Sequence, residues 1–451
     1  MVFKGLGYAA ALAVLGLVSA TNAGSTQQAQ AGDSAAPPLQ YPLNLDDTTA
    51  PAAAPAAPAS APSGPPPTPI MFLIGNTGVG QWMNNNHLSI TGFVEGGYFL
   101  DTNNPSPAKD LPTLIVFPGN YSNKVLLDQI DVTLSKTIDS TKSWDWGFTF
   151  ENGFGSDDAF IHSNGMLDNR PASQIQNQYD IPQANVELLV PLGTGLTLEA
   201  GKFLTIFSNE VINPTGDAFY SHSYSFSFGV PFTSTGVTGS YTFPKLLGGN
   251  DLTVTGGISE GWNQSLRDAN GNIDFLGEAK ANITSALSWV FNLEIGPQAL
   301  PVPRHFPQNH SNYETNAELI LNDQLSSELK LTGDFLYSDF PNEGVTSNSA
   351  QWYGACGYAG YTFDPYLTFN LRGEWYRDQG GFTTGTSANY YEATAGVQIH
   401  PLPNDNIFQF LQIRPEVRED ISDRRVYDFA HDNGAGDYNE LTFAVDVVMQ
   451  F

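Results

Sequence analysis

The sequence predicts an all-β fold: a transmembrane antiparallel β-barrel of about 16 strands, preceded by a disordered Pro/Ala-rich segment. Three observations predict it. From about residue 86 onward, apolar and polar residues alternate with period two in segment after segment, the signature of strands with one apolar face. The connections between these segments run long, short, long, short. The final stretch, LTFAVDVVMQF (residues 441–451), sets Leu441, Phe443, Val445, Val447, Met449 and Phe451 on one face and Asp446 on the other.

Composition narrows the class further. The 451 residues carry 46 acidic and 18 basic side chains, a net charge of −28. Binding to nucleic acid needs a basic face and is not expected; attraction of cations is. The single cysteine, Cys356, permits neither an intrachain disulfide nor a cysteine zinc cluster, and reads as a small buried residue.

The elements follow in chain order. Residues 1–23, MVFKGLGYAAALAVLGLVSATNA, have a short positive start at Lys4, an apolar run from Gly5 to Val18 and small residues at Ala20 and Ala23. That is a secretory signal peptide, too short in its apolar run to span a membrane. Residues 24–70 form a periplasmic spacer. Its stretch 51–69 has 8 prolines in 19 positions, which cannot bury enough apolar surface to fold. After the signal no run of eighteen apolar residues appears, so helical spans are not expected, while a closed barrel remains open to the chain. GNTGVG (75–80) lacks the phosphate-loop lysine and opens no helical pattern.

The barrel is expected over 86–451, with strands at 88–99, 124–137, 143–152, 182–191, 195–203, 234–243, 251–260, 274–281, 286–296, 312–321, 326–337, 351–363, 366–378, 388–400, 406–419 and 438–451. SWDWGFTFE (143–151) is typical: Trp144, Trp146, Phe148 and Phe150 alternate with Asp145, Thr149 and Glu151. A soluble sandwich also alternates. The short turns PLGTG (191–195), NITS (282–285), NDQL (322–325) and DP (364–365), set against the long stretches 153–181, 204–233 and 420–437, favour a barrel with short periplasmic turns and longer outside loops. An even strand count then puts both ends of the barrel on the periplasmic side.

Register assigns the faces. The odd positions of 441–451 meet lipid and the even positions meet the lumen, because a slip of one residue would turn Asp446 and Glu440 outward. Unpaired strand edges are costly in lipid, so the last strand must close on the first. The polar positions name the lumen wall: Asp131, Asp145, Glu151, Glu187, Glu199, Lys330, Asp334, Arg372, Glu374, Glu392, Arg414, Glu416, Arg418 and Asp446. Sixteen strands leave room for a water-filled channel.

The stretches GFVEGGYFLDTNNP (92–105), LEAGKFLTIFSNEVINP (198–214), FSFGVPFTSTGVTGSYTF (226–243), GGISEGWNQSLRDANGN (256–272), NLRGEWYRD (370–378) and LQIRPEVRED (411–420), in that order, resemble the beta-barrel porin family described as OmpL-like. The resemblance covers the whole barrel and implies an outer-membrane pore. It implies that Phe443, Val445, Val447, Met449 and Phe451 form a C-terminal signal for the barrel-assembly machinery, that the partners are outer-membrane lipid and small solutes, and that the oligomer is a homotrimer. It implies that the third outside loop, 204–233, folds inward, its aromatics on the wall and its Glu210 and Asp217 presented to the channel, against the plainer reading of an outward lid. It also implies that Arg372, Arg414 and Arg418 face acids across the channel and set up a transverse field, against the plainer reading that Arg372 with Glu374, and Arg414 and Arg418 with Glu416, form neutralising wall pairs.

Other chemistry is weak. DANGNID (268–274) has oxygen side chains at every second position, as calcium loops do, but its glycine is misplaced and no glutamate stands at position twelve. A tight polar turn is the better reading. His162, His222 and His431 lie in loops near serines, without the spacing that would define a catalytic set. No enzyme activity, cofactor or metal is expected. The function read from the sequence is passive diffusion of small hydrophilic solutes or ions across the outer membrane. A substrate-selective nutrient channel and a plugged structural or adhesive barrel are the alternatives.

Overall fold

The computed structural model describes residues 67–102, 123–166, 177–267, 271–298, 313–341, 349–427 and 436–451. The expected signal peptide, nearly all of the expected spacer, Asp268–Asn270 of the calcium-like stretch and His431 lie outside them.

Sixteen antiparallel strands form the barrel: β1 (Leu88–Asp101), β2 (Val125–Lys136), β3 (Asp145–Gly155), β4 in two pieces (Gln178–Asp180 and Ala184–Val190), β5 (Leu196–Leu204), β6 (Thr233–Leu247), β7 (Asn250–Ser259), β8 (Asp274–Asn282), β9 (Leu287–Gly296), β10 (Glu314–Gln324), β11 (Leu329–Pro341), β12 (Ser349–Asp364), β13 (Leu367–Asp378), β14 (Ala388–Ile399), β15 (Leu411–Ser422) and β16 (Asn439–Gln450). Each expected strand is present. β16 pairs back onto β1 from Phe93↔Gln450 to Asp101↔Thr442, which closes the sheet. Over that span closure leaves neither strand an open edge to face lipid.

The faces follow the expected register. On β16, Phe443, Val445 and Val447 point out of the barrel, 38–45% exposed, while Thr442, Asp446 and Val448 point in and are buried. Val445 sits near the middle of its strand, so Val445→Arg is expected to destabilise the barrel by about 2–4 kcal/mol. Urea titration in lipid vesicles, read by loss of the compact band on unheated gels, checks this; an unshifted midpoint would mean that this face does not meet lipid.

The seam has a specific fit. Gly92 and Phe451 exchange both backbone hydrogen bonds, Gly92 N–H to Phe451 O at 2.9 Å and Phe451 N–H to Gly92 O at 2.7 Å. The Phe451 ring lies across Gly92, where a Cβ would stand 2.6 Å from it. Any larger residue at 92 would displace the ring.

Three expectations need correction. The fourth strand is split, because Pro182 has no N–H to give the ladder. Glu151 and Asn152 of β3 then oppose three residues, Ile181–Gln183, and the register shifts by one between Gly153↔Asp180 and Phe150↔Ala184. β15 starts at Leu411 rather than 406. The Asp405 side chain accepts from Ile407 N–H at 2.8 Å and Phe408 N–H at 2.9 Å and winds residues 402–410 into turns. Finally, GNTGVG does open a helix. Among the described residues two short helices precede the barrel, α1 (Pro69–Ile74) and α2 (Gly78–Asn85), and Thr77 caps α2 by accepting from Gly80 N–H at 3.0 Å. Gly80 obscured the pattern: it is a poor helix former, kept small because a Cβ there would stand 2.0 Å from Ile74 O.

Candidate functional site: a loop clamped inside the barrel

The segment between β5 and β6, residues 205–232, enters the barrel. It carries one turn of 3₁₀ helix (Pro214–Gly216) and a short helix, α3 (Tyr224–Gly229). Ser223 caps α3, its Oγ accepting from Phe226 N–H at 3.1 Å.

An irregular loop inside a barrel has many backbone groups to satisfy. The wall supplies partners for them in a consistent pattern. Wall carboxylates accept from loop N–H groups: Glu318 from Ser208 at 2.8 Å, Asp334 from Asn209 at 3.1 Å, Glu416 from Tyr220 at 2.8 Å and Ser221 at 3.2 Å, and Glu374 from Tyr224 at 2.6 Å and Ser225 at 2.8 Å. Wall donors reach the loop carbonyls: Arg414 to Pro214 O at 2.8 Å and Asp217 O at 2.9 Å, Arg372 to Ser221 O at 2.6 Å, Arg418 to His222 O, Gln398 to Asp217 O at 3.0 Å and Trp352 to Gly229 O at 3.1 Å. Hydrogen bonds to charged groups are the strong ones, so the loop is held at many points across β10–β15. Gln129 on β2 holds it as well, donating to Ile212 O at 3.2 Å.

An aromatic cluster fills the space behind the loop. Tyr224 and Phe226 are fully buried among Phe232, Trp262, Trp352, Tyr376, Tyr390 and Tyr427. Tyr224 stacks on Tyr376 at 6.2 Å, and Phe226 meets Phe232 edge to face at 5.4 Å. Tyr224 Oη still finds a polar partner, donating to Asp420 Oδ1 at 2.8 Å.

The expected aromatic packing is therefore present, but Glu210 and Asp217 are not presented to the channel. Both are buried. Glu210 pairs with Arg372 at 2.8 Å and accepts from Ser223 N–H at 2.7 Å and Tyr358 Oη at 3.1 Å. Asp217 accepts from Val211 N–H at 3.1 Å. Burial opposes charge on Glu210, but the Arg372 guanidinium and His222 outweigh it and hold its carboxyl below the usual range. Burial first, and then the Glu210 charge beside it, push Asp217 the other way. A lowered carboxylate contributes stability at neutral pH and loses it as pH falls through its folded pKa. The Glu210 anchor is thus fully present at pH 7 and outlasts ordinary carboxylates on acidification.

The three wall arginines are also engaged. Arg372 pairs with Glu392 at 3.2 Å, Arg414 with Asp446 and, at 3.0 Å, with Glu95, and Arg418 with Asp420 at 2.7 Å. All are buried. They do not stand as an open row facing acids across water. The particular pairs also differ from those read in the sequence: Glu374 and Glu416 hold loop N–H groups instead.

The remaining expected wall residues fall elsewhere. Asp131 and Glu151 are buried on β2 and β3. Asp131 accepts from Thr133 Oγ1 at 2.9 Å, and Glu151 accepts from Gln183. Asp145 sits at the rim, held by Lys136 at 3.2 Å. On the opposite wall, Glu187 of β4 and Glu199 of β5 face each other in register and are half-buried, with Glu278 and Lys280 of β8 paired at 3.1 Å nearby in the strand order. Lys330 is exposed near the start of β11. Glu318, Gln398, Asp128 and Glu95 escaped sequence reading as site residues. The period-two parity of 312–321 places Glu318 inward, and that signal could have found it. His162 Nδ1 is hydrogen-bonded to Asp180 Oδ1 at 3.1 Å, and Cys356 is buried as expected.

A closed sixteen-stranded barrel with an apolar outer face and a polar interior narrowed by one inward loop defines the porin class. The family model described as Putative beta-barrel porin-2, OmpL-like, matches residues 87–451, and the chain belongs to that family of outer-membrane porins. Solved structures share the fold. The anion-selective porin of Comamonas acidovorans has 14% identity and a TM-score of 0.52, over 81% of this chain and 99% of its own. OprB of Pseudomonas putida at high pH has 11% identity and 0.52, over 84% and 97%. Salmonella typhi OmpF in complex with daunomycin has 12% identity and 0.50, over 82% and 99%. No protein of curated function matches the chain by sequence.

Proposed function

We propose that this porin passes small hydrophilic solutes and ions by passive diffusion, with a mild preference for cations, along the wall formed by β4–β8. The observation that carries this reading is the one-sided clamp: the loop is hydrogen-bonded to β2 and β10–β15, and half-buried Glu187 and Glu199 stand on the other side. The arginine charges are spent on wall carboxylates and loop carbonyls, so the acids set the field in the remaining space. The barrel sits with its N-terminus and short turns in the periplasm, assembles through its C-terminal strand, and works as a homotrimer, whose mass in mild detergent native mass spectrometry would reveal. Glu187→Gln with Glu199→Gln is expected to lower the cation-to-anion permeability ratio at least twofold in a KCl gradient, with conductance little changed. An unaltered reversal potential would place the path elsewhere. The density of the loop clamp favours one second reading, a plugged structural barrel, which predicts no conductance at all.

A further inference from the structure

The two helices before the barrel sit where its wall is short of partners. The last backbone bonds across the seam are those between Gly92 and Phe451, while β1 continues to Leu88 with its other edge on β2, as far as Leu88↔Lys136. On the side that β16 no longer covers, Ile90 N–H donates to Met71 Sδ at 3.4 Å and Ile90 O accepts from Thr68 Oγ1 at 3.4 Å. α1 and its cap thus stand in for the missing strand at this edge. Having done so, the helices leave Phe72, Leu73, Val79 and Trp82 41–65% exposed.

Like the barrel's outer belt, these residues are apolar and exposed. By register Leu88 is level with Lys136, and Lys136 with Phe148, so the end of α2 lies near the level of Trp144 and Trp146, which are also exposed on the outer face. Residues 48–94 contain no Asp, Glu, Lys or Arg in a chain of net charge −28. Such a stretch meets no repulsion from anionic headgroups, and tryptophan favours the bilayer interface.

We propose that the α1–α2 pair is an interfacial anchor: it lies at the headgroup–acyl boundary of the leaflet at this end of the barrel, seals the β1 edge, and fixes the preceding segment to the membrane surface. That this leaflet is the periplasmic one rests on the orientation proposed above.

The test is a nitroxide label at Trp82→Cys, and separately at Leu73→Cys, in a Cys356→Ser background, in full-length protein reconstituted in phosphatidylethanolamine/phosphatidylglycerol vesicles. Val447→Cys on the lipid belt and Asn404→Cys in an exposed turn are the references. Oxygen accessibility exceeding that of a water-soluble nickel chelate several-fold, as at Val447→Cys, is the expected result. Chelate accessibility equal to that at Asn404→Cys would overturn the anchor, and so would exclusion of both probes, the mark of coverage by protein. A membrane-impermeant maleimide on intact cells separates the orientation from the anchor. Modification of Trp82→Cys before the outer membrane is permeabilised would overturn the periplasmic placement while leaving the depth result standing.

Discussion

Replacing residues 209–228 with a short Gly/Ser link is expected to raise single-channel conductance several-fold. The loop occupies the interior from β2 round to β15, and its removal returns that cross-section to water. The barrel itself should survive, because the strand ladder and the wall pairs Arg372–Glu392, Arg414–Asp446 and Arg418–Asp420 do not depend on the loop. Three carboxylates, those of Asp334, Glu374 and Glu416, lose their loop N–H partners and join the channel wall. Cation preference should therefore rise together with conductance. Planar-bilayer recordings of both proteins measure the two effects at once. Equal conductance would show that the loop is not what narrows the path.

The second large effect concerns stability. Arg414 is buried and joins four groups: Asp446 on β16, Glu95 on β1, and the loop carbonyls of Pro214 and Asp217. It therefore ties the seam of the barrel to the clamp. Arg414→Ala leaves two carboxylates buried without their cation, a loss of about 3–5 kcal/mol. Arg414→Lys should recover only part of this, because a lysine offers a point charge in place of the planar fork that serves several acceptors. Urea unfolding in vesicles, followed by tryptophan fluorescence, gives both values. A midpoint for Arg414→Ala within error of the parent would mean that the pair is hydrated and the buried network is not a stabilising one.

The fold was legible in the sequence because lipid imposes a strict period. The outward positions of β16 from Leu441 to Met449 are all apolar, and Asp446 with Glu440 on the other face fixes the register. The same rule orders the wall, so Arg372, Glu374, Arg414 and Asp446 could be placed inward from parity. Partners across the lumen were not legible. Glu374 meets Tyr224 and Ser225 N–H, 150 and 149 residues away, and no periodicity links a wall strand to an irregular loop. For that reason Glu210 and Asp217 were placed at the channel, although the guanidinium of Arg372 draws Glu210 into the wall. The short helices were missed for a local reason: Gly78 and Gly80 interrupt a pattern that the Thr77 cap and tertiary contact with β1 restore. The break in β4 was foreshadowed only by Pro182.

An open pore beside a clamped loop is tested most directly by the single-channel conductance of refolded protein comprising residues 24–451. In a planar bilayer between two KCl concentrations, stable steps of uniform size with a reversal potential on the cation side are predicted. Protein that keeps its compact, heat-modifiable form on gels yet gives no steps would contradict the claim and show a barrel closed by its own loop.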